Sequence, residues 1–216
     1  MDKNGESPTM DHAATIDHPM DPAQPSPLSP NWGKIMMWLF LMSDAMSFAG
    51  LLCAYAAVRM SNSLWPIPAS ILGVPLTALN TFILICSSVT MVKAVSAIQK
   101  GDVSGLKKFL ALTMLGGATF LGIQAYEWTH LIMEGMTIQS NPWGVNSLFG
   151  ATFYILTGFH GCHVLSGVIY LSCIFVRALQ GAYTAENNSS VEIVGLYWHF
   201  VDLIWILVFT FVYLIA

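Results

Sequence analysis

The stretch "TGFHGCHVLSGVIYL", Thr157 to Leu171, carries His160 and His163 inside a run otherwise apolar enough to lie in lipid. Three residues apart on a helix puts two side chains on one face. That spacing suits a shared metal, a proton route, or polar anchors between packed helices. His199 and Asp202 repeat it near the end of the chain. Asp44, Glu127 and His130 complete the carboxylates and imidazoles set within apolar runs, and the second such run offers Asn80 and small hydroxyls in their place. Carboxylates and imidazoles are costly in hydrocarbon, so each needs a partner or a water pocket.

Composition defines the scaffold that carries these groups. Of 216 residues, 55% are hydrophobic and only 9% charged, against about 25% charged in globular domains. Apolar runs of about 20 residues span a bilayer, and five are expected here: 33–59, 71–98, 108–133, 148–177 and 193–216. The fold class is all-α, a polytopic membrane bundle of five helices. Turn chemistry separates the spans in "SNSLWPIPAS", "QKGDVSG", "EGMTIQSNPWGVNS" and "QGAYTAENNSS". Residues 1–31, rich in Pro, Asp and Ser, read as a disordered cytoplasmic tail, in which His12 and His18 are solvated, and 32–216 as the membrane domain. Five of the twelve acids lie in that tail, so the net charge of −4 says little about partners, and no nucleic acid is expected. The four cysteines show no CxxC spacing and read as small packing residues.

If the spans alternate, Lys3, Lys34, Lys93, Lys100, Lys107, Lys108 and Arg177 fall on one side and only Arg59 on the other. Basic loops face the cytoplasm, which predicts a cytoplasmic N-terminus and an external C-terminus. Trp32, Trp65 and Trp143 sit near span ends, where indole suits the headgroup layer. Counting from the basic end at 1.5 Å per residue, Asp44 and Asp202 lie roughly 15 Å deep, His199 about 10 Å and His163 about 21 Å. On the same ruler Glu127 and His160 lie at roughly 28 and 26 Å. Two layers are expected: Glu127 meeting His160 in the outer half, and Asp44, His163, His199 and Asp202 gathered nearer the cytoplasm.

A catalytic metal needs three or more protein ligands and an open position, and this ruler does not bring three imidazoles to one level. No ladder of titratable groups continues to the outside, as a pump would need, although a partial route at Asp44 is conceivable. Interhelix bonding is the reading the residues favour, because membrane helices use polar side chains as glue. Small residues at four-residue spacing, Gly158, Cys162 and Ser166 in one span and Ala118 and Gly122 in another, predict close backbone approach.

"FYILTGFHGCHVLSGVIYL" followed by "VGLYWHFVDLIWILVFTFVYLIA" resembles the end of subunit III of the haem–copper oxidases. "WLFLMSDAMSFAGLLCAYAAVR", "PLTALNTFILICSSVT" and "FLGIQAYEW" extend the likeness upstream, so that it covers about residues 32–216. The chain is similar to the shorter bacterial form, which lacks the first two of seven spans, and Asp44 stands where the family typically has Glu. The resemblance implies an accessory subunit of a respiratory terminal oxidase, cytochrome c or quinol oxidase, that reduces oxygen and pumps protons in the bacterial inner (plasma) membrane. It implies no cofactor in this chain, haem and copper being held by partner subunits I and II, and a V-shaped cleft occupied by phospholipid. Carried over by position, Asp44 and His163 would line that cleft near lipid or water. Glu127, His160, His199 and Asp202 would be buried ties between helices, with no catalytic and no metal-binding residue. Covering subunit I, holding lipid and supporting proton uptake would be its tasks, within a larger respiratory supercomplex or outside one. The alternatives are a relative associated with nitric oxide reductase, a stand-alone metalloprotein using His160, His163 and His199, and a small proton or ion carrier centred on Asp44.

Overall fold

A computed structural model describes residues 32–62, 65–142 and 148–215. The expectations for the tail, its histidines and Trp143 lie outside those residues. Helices long and apolar enough to cross a membrane number five among the described residues. They are α1 (Trp32–Met60), α3 (Val74–Gln99), α4 (Val103–Met133), α5 (Leu148–Leu179) and α6 (Ser189–Phe209), with a four-residue α2 (Pro68–Ile71) before α3. The last span continues into a π-helical turn, Thr210–Leu214.

The ends of the helices follow from local chemistry. Gly101, Gly135 and Gly181 stand just past α3, α4 and α5 with φ of 79°, 96° and 75°, the left-handed region that glycine enters without a Cβ penalty. Each closes the same C-terminal motif: Asp102, Met136 and Ala182 donate their amides to the carbonyls of Ala97, Leu131 and Arg177. Helix α4 begins at Val103, five residues before the expected start, because the Asp102 side chain accepts the Gly105 amide at 2.8 Å. That cap holds Lys107 and Lys108 inside the helix rather than ahead of it.

Helix α3 packs on α4, α4 on α5, α5 on α6, and α6 back on α3, so these four form a closed ring. Trp198 of α6, fully buried, fills its middle. A Cβ at Gly117 of α4 would stand 2.5 Å from this indole, and one at Gly167 of α5 would stand 2.9 Å from it. Both glycines are the space into which the ring fits. The stripes of small residues at four-residue spacing divide between the interior of the chain and its outer surface. Ala118 and Gly122 face outward, and a Cβ on Gly122 would meet nothing within 4 Å. Cys162 is also exposed, whereas Gly158 packs on Trp128 and Ser166 bonds Tyr197. Four-residue spacing marks a stripe, but only the helix's rotation decides which way the stripe points.

Helix α1 lies against the ring through side chains. Phe48 packs on Phe159 of α5 at a ring separation of 4.9 Å, and Phe40 on Tyr197 of α6 at 6.2 Å. Its ends are tied by charge. Lys34 pairs with Glu192 at one end, and Arg59 donates to the Ile215 carbonyl at 2.8 Å at the other. Because Gln99 also donates to Glu192 at 2.8 Å, the start of α1, the end of α3 and the start of α6 meet at one end of the bundle. Alternating spans require that meeting.

Candidate functional site

The ionisable side chains singled out by the sequence fall into three places. Near the start of α3, Glu127 is buried and accepts three hydrogen bonds. Thr77 donates to Oε1 at 3.0 Å; Tyr213 and Gln124 donate to Oε2 at 3.0 and 3.3 Å. This node joins α3, α4 and the π-helical turn. The turn matters to it, because a π-helix uses more residues per turn than an α-helix and so carries Tyr213 inward to a fully buried position over the carboxyl. His160, placed at the same depth by the ruler, is not among the partners of Glu127. It lies fully buried among Phe48, Phe120 and Trp205, with ring separations of 6.3, 5.8 and 4.8 Å. Neither of its ring nitrogens makes a hydrogen bond to protein, so aromatic packing rather than a polar tie holds it.

The second place is the contact between α1 and α5. His163 Nε2 approaches Asp44 Oδ2 at 3.2 Å, an ion-pair distance without the alignment of a hydrogen bond. Its Nδ1 donates to the Phe159 carbonyl at 2.7 Å, fixing the ring from the other side. Phe48 and Phe159 flank the imidazole at 5.2 and 4.7 Å. Tyr197 of α6 donates to the His163 carbonyl at 3.1 Å and shares a 2.6 Å hydrogen bond with Ser166. The spacing of His160 and His163 thus serves two contacts, one toward the ring's centre and one toward α1.

The third place is the α3–α6 seam. His199 Nδ1 bonds the Ser88 hydroxyl at 2.6 Å. Asp202, one turn further, is 5% exposed, and neither carboxyl oxygen makes a direct hydrogen bond, although Ser88 interacts with it. Beside His199 a groove of 460 Å³ opens between α1, α3 and α6, lined by Lys34 and Trp38, by Val95 and Gln99, and by Glu192 and Leu196 among others. Asp44 and His163 are not among its lining residues. His130 is exposed and pairs with Glu134, one turn on, at 3.4 Å.

Sequence reasoning missed the contribution of α3. Its small hydroxyls receive or return bonds along its whole length: Trp205 donates to Thr81 at 2.9 Å, Trp198 to Ser87 at 3.1 Å, and Thr90 pairs with Thr113 at 2.7 Å. Asn80 donates to the Phe120 carbonyl at 3.3 Å. The signal was present, since Thr77, Asn80, Thr81, Ser87 and Ser88 recur at helical spacing and make one polar stripe. Among the described residues no three His, Cys, Asp or Glu side chains converge as a metal site would require.

Comparison with known proteins agrees with the motifs. The family profile described as "Cytochrome c oxidase subunit III" matches residues 31–216. Cytochrome c oxidase subunit 3 of Corynebacterium diphtheriae is 40% identical over 189 residues, 86% of this chain and 89% of that protein. The probable cytochrome c oxidase subunit 3 of Nocardia farcinica is 37% identical over 187 residues, again 86% and 89%. That of Thermostichus vulcanus, cytochrome c oxidase subunit 3, is 35% identical over 188 residues, 87% and 89%. These matches give no support to the nitric oxide reductase, metalloprotein or carrier readings. The chain belongs to the cytochrome c oxidase subunit III family, multi-pass membrane proteins that work in complex with the other subunits of a haem–copper oxidase.

Proposed function

We propose that the chain is the accessory, cofactor-free subunit of a respiratory terminal oxidase. It covers apolar surface of subunit I, holds phospholipid and supports proton uptake on the cytoplasmic side. It sits in the bacterial plasma membrane with its N-terminus cytoplasmic, and haem and copper stay in subunits I and II. The observation that carries the reading is how the imidazoles are occupied. His163 is held between the Phe159 carbonyl and Asp44, His199 is bonded to Ser88, and His160 is enclosed by aromatic rings. Each faces a different neighbour, so they act in cohesion rather than converging on a redox centre. The orientation is supported by the clustering of Lys34, Gln99 and Glu192 at the end that also carries Lys100, Lys107 and Lys108, since basic ends face the cytoplasm. Asp44 and His163, largely buried against one another where α1 meets α5, are the polar groups we assign to a place just beneath the lipid cleft.

The test is removal of this subunit from the purified complex. Haem absorption is expected to persist while the remaining enzyme inactivates earlier in turnover. Loss of the haem spectrum together with this polypeptide would overturn the accessory role.

A further inference from the structure

We propose that the outward groove between α3 and α4 seats an acyl chain of an anionic phospholipid from the cytoplasmic leaflet, with the phosphate held by Lys93 and Lys108. The site deepens the lipid-holding role and lies across the ring from α1, which packs on α5 and α6. It rests on the membrane orientation given above, but its test reads lipid preference and not the haem spectrum.

The groove has the shape and surface of a chain seat. It holds 370 Å³ between Phe82, Cys86 and Thr90 on α3 and Leu112, Leu115 and Thr119 on α4. Gly116 closes its floor, since a Cβ there would stand 2.7 Å from the Ser87 Cβ. Its hydroxyls are engaged within the protein. Thr90 bonds Thr113 at 2.7 Å, Ser87 donates to the Leu84 carbonyl at 2.6 Å, and Thr119 donates to the Leu115 carbonyl at 2.8 Å. An occupant therefore meets hydrocarbon. Thr90 to Phe82 rises about 12 Å and Leu112 to Thr119 about 10 Å, most of one leaflet's depth of about 15 Å.

An apolar groove alone would take any lipid, so selection must come from its cytoplasmic end, and each wall leads there to a lysine. On α3 the outward stripe runs Phe82, Cys86, Thr90 and then Lys93; on α4 it runs Thr119, Leu115, Leu112 and then Lys108. These spacings share a helix face. Neither lysine lines the groove. Each stands one turn beyond it, at the place of the phosphate when the chain fills the groove. Both are exposed, and they lie at one level, about 9 Å from the end of α3 and about 8 Å from the start of α4. Lys93 Nζ is 5.9 Å from the centre of the Phe109 ring, which directs it across to α4, beside Lys108. No acid on these helices opposes them: α3 carries none, and Glu127 of α4 is buried and bonded past the groove's far end. Asp102, ahead of α4, is engaged by the Gly105 amide. Paired ammonium groups at a membrane surface favour an anionic headgroup over a zwitterionic one.

The test uses the intact oxidase complex in phosphatidylcholine nanodiscs. These are doped with phosphatidylglycerol or phosphatidylcholine carrying a diazirine midway along one acyl chain, and photoproducts on residues 82–90 and 112–119 are mapped by mass spectrometry. Labelling by the anionic probe is expected to exceed that by the zwitterionic one about tenfold. In Lys93→Gln/Lys108→Gln, changed only at exposed positions, the excess should fall to about twofold or less. Cys86→Phe adds bulk on the outward stripe without entering the core, and should cut anionic labelling of 112–119 about fivefold by filling the seat. Equal labelling by the two probes would mean annular lipid only, and no labelling by either would mean that another subunit covers the groove. Either result overturns the proposal, as does a preference that survives the double variant or labelling untouched by Cys86→Phe.

Discussion

Helices α1 and α6 are both apolar spans with similar mean hydropathy, 1.7 and 1.8, yet 17% of the core window of α1 is buried within the chain against 56% for α6. Only Leu41, Asp44, Phe48 and Tyr55 of α1 are buried. In α6 the buried set includes Trp198, Asp202 and Trp205, all facing α3 or the ring's centre. The two helices are held in different ways. Helix α6 is fixed by volume, Trp198 seated against glycines and both Trp198 and Trp205 bonded to hydroxyls of α3. Helix α1 is fixed at points: Lys34 at one end, Asp44 in the middle, Arg59 at the other. Total hydropathy decides that a segment enters the membrane, whereas the distribution of small and polar residues on its neighbours decides how firmly the chain itself holds it.

The comparison is most exposed to a cut in α6. Trp198→Ala removes the fully buried indole seated between Gly117 and Gly167. It should cost about 4 kcal/mol, the range for large aromatic-to-alanine changes in cores, read as reversible unfolding of the subunit in mixed micelles. A loss below about 1 kcal/mol would mean the ring is not filled as described.

Next comes Glu127→Ala. It leaves the Thr77, Gln124 and Tyr213 donors without their shared acceptor, and buried donors left unmade cost about 1–3 kcal/mol. Roughly 3 kcal/mol is expected in total, with Glu127→Gln retaining part of it. Unchanged unfolding of Glu127→Ala would show that the node contributes no cohesion.

Asp44→Ala should act locally. A loss of about 1–2 kcal/mol is expected, since one partner of a partly buried pair is removed. Faster amide hydrogen exchange should be confined to α1, with α6 unaffected. If exchange rises equally in both helices, α1 is not an independently held element.

Lys34→Met should matter least. Its pairing with Glu192 is partly exposed, and such pairs contribute about 0–1 kcal/mol. A loss as large as that of Asp44→Ala would invert the order of the anchoring points and break the distinction between middle and end.

These residues also show how far the sequence could be read. The five spans were legible because hydrocarbon demands long apolar runs, and the three glycines at the helix ends lay inside the expected turns. Of the inventory Asp44, Glu127, His160, His163, His199 and Asp202, the structure groups Asp44 with His163. The depth ruler failed for Glu127 and His160 because it measures height along the axis and carries no rotation about it. Two groups at one level can face opposite neighbours. The contribution of Tyr213 was out of reach for a different reason: its inward aim depends on a change in backbone hydrogen-bond register that no side-chain pattern announces. Trp198 and Trp205 were present in plain sight, but an indole bonded to a serine or threonine looks like any apolar residue until its neighbour is known.

The π-helical turn makes the last few residues sensitive to number rather than to kind. Each residue added to or taken from Thr210–Leu214 rotates the side chains beyond it by about 100° on a helical scale, so a one-residue deletion would swing the Tyr213 phenol away from Glu127 while leaving the span apolar. Conservative swaps within that segment, Tyr213 apart, should pass unnoticed, and length changes should not.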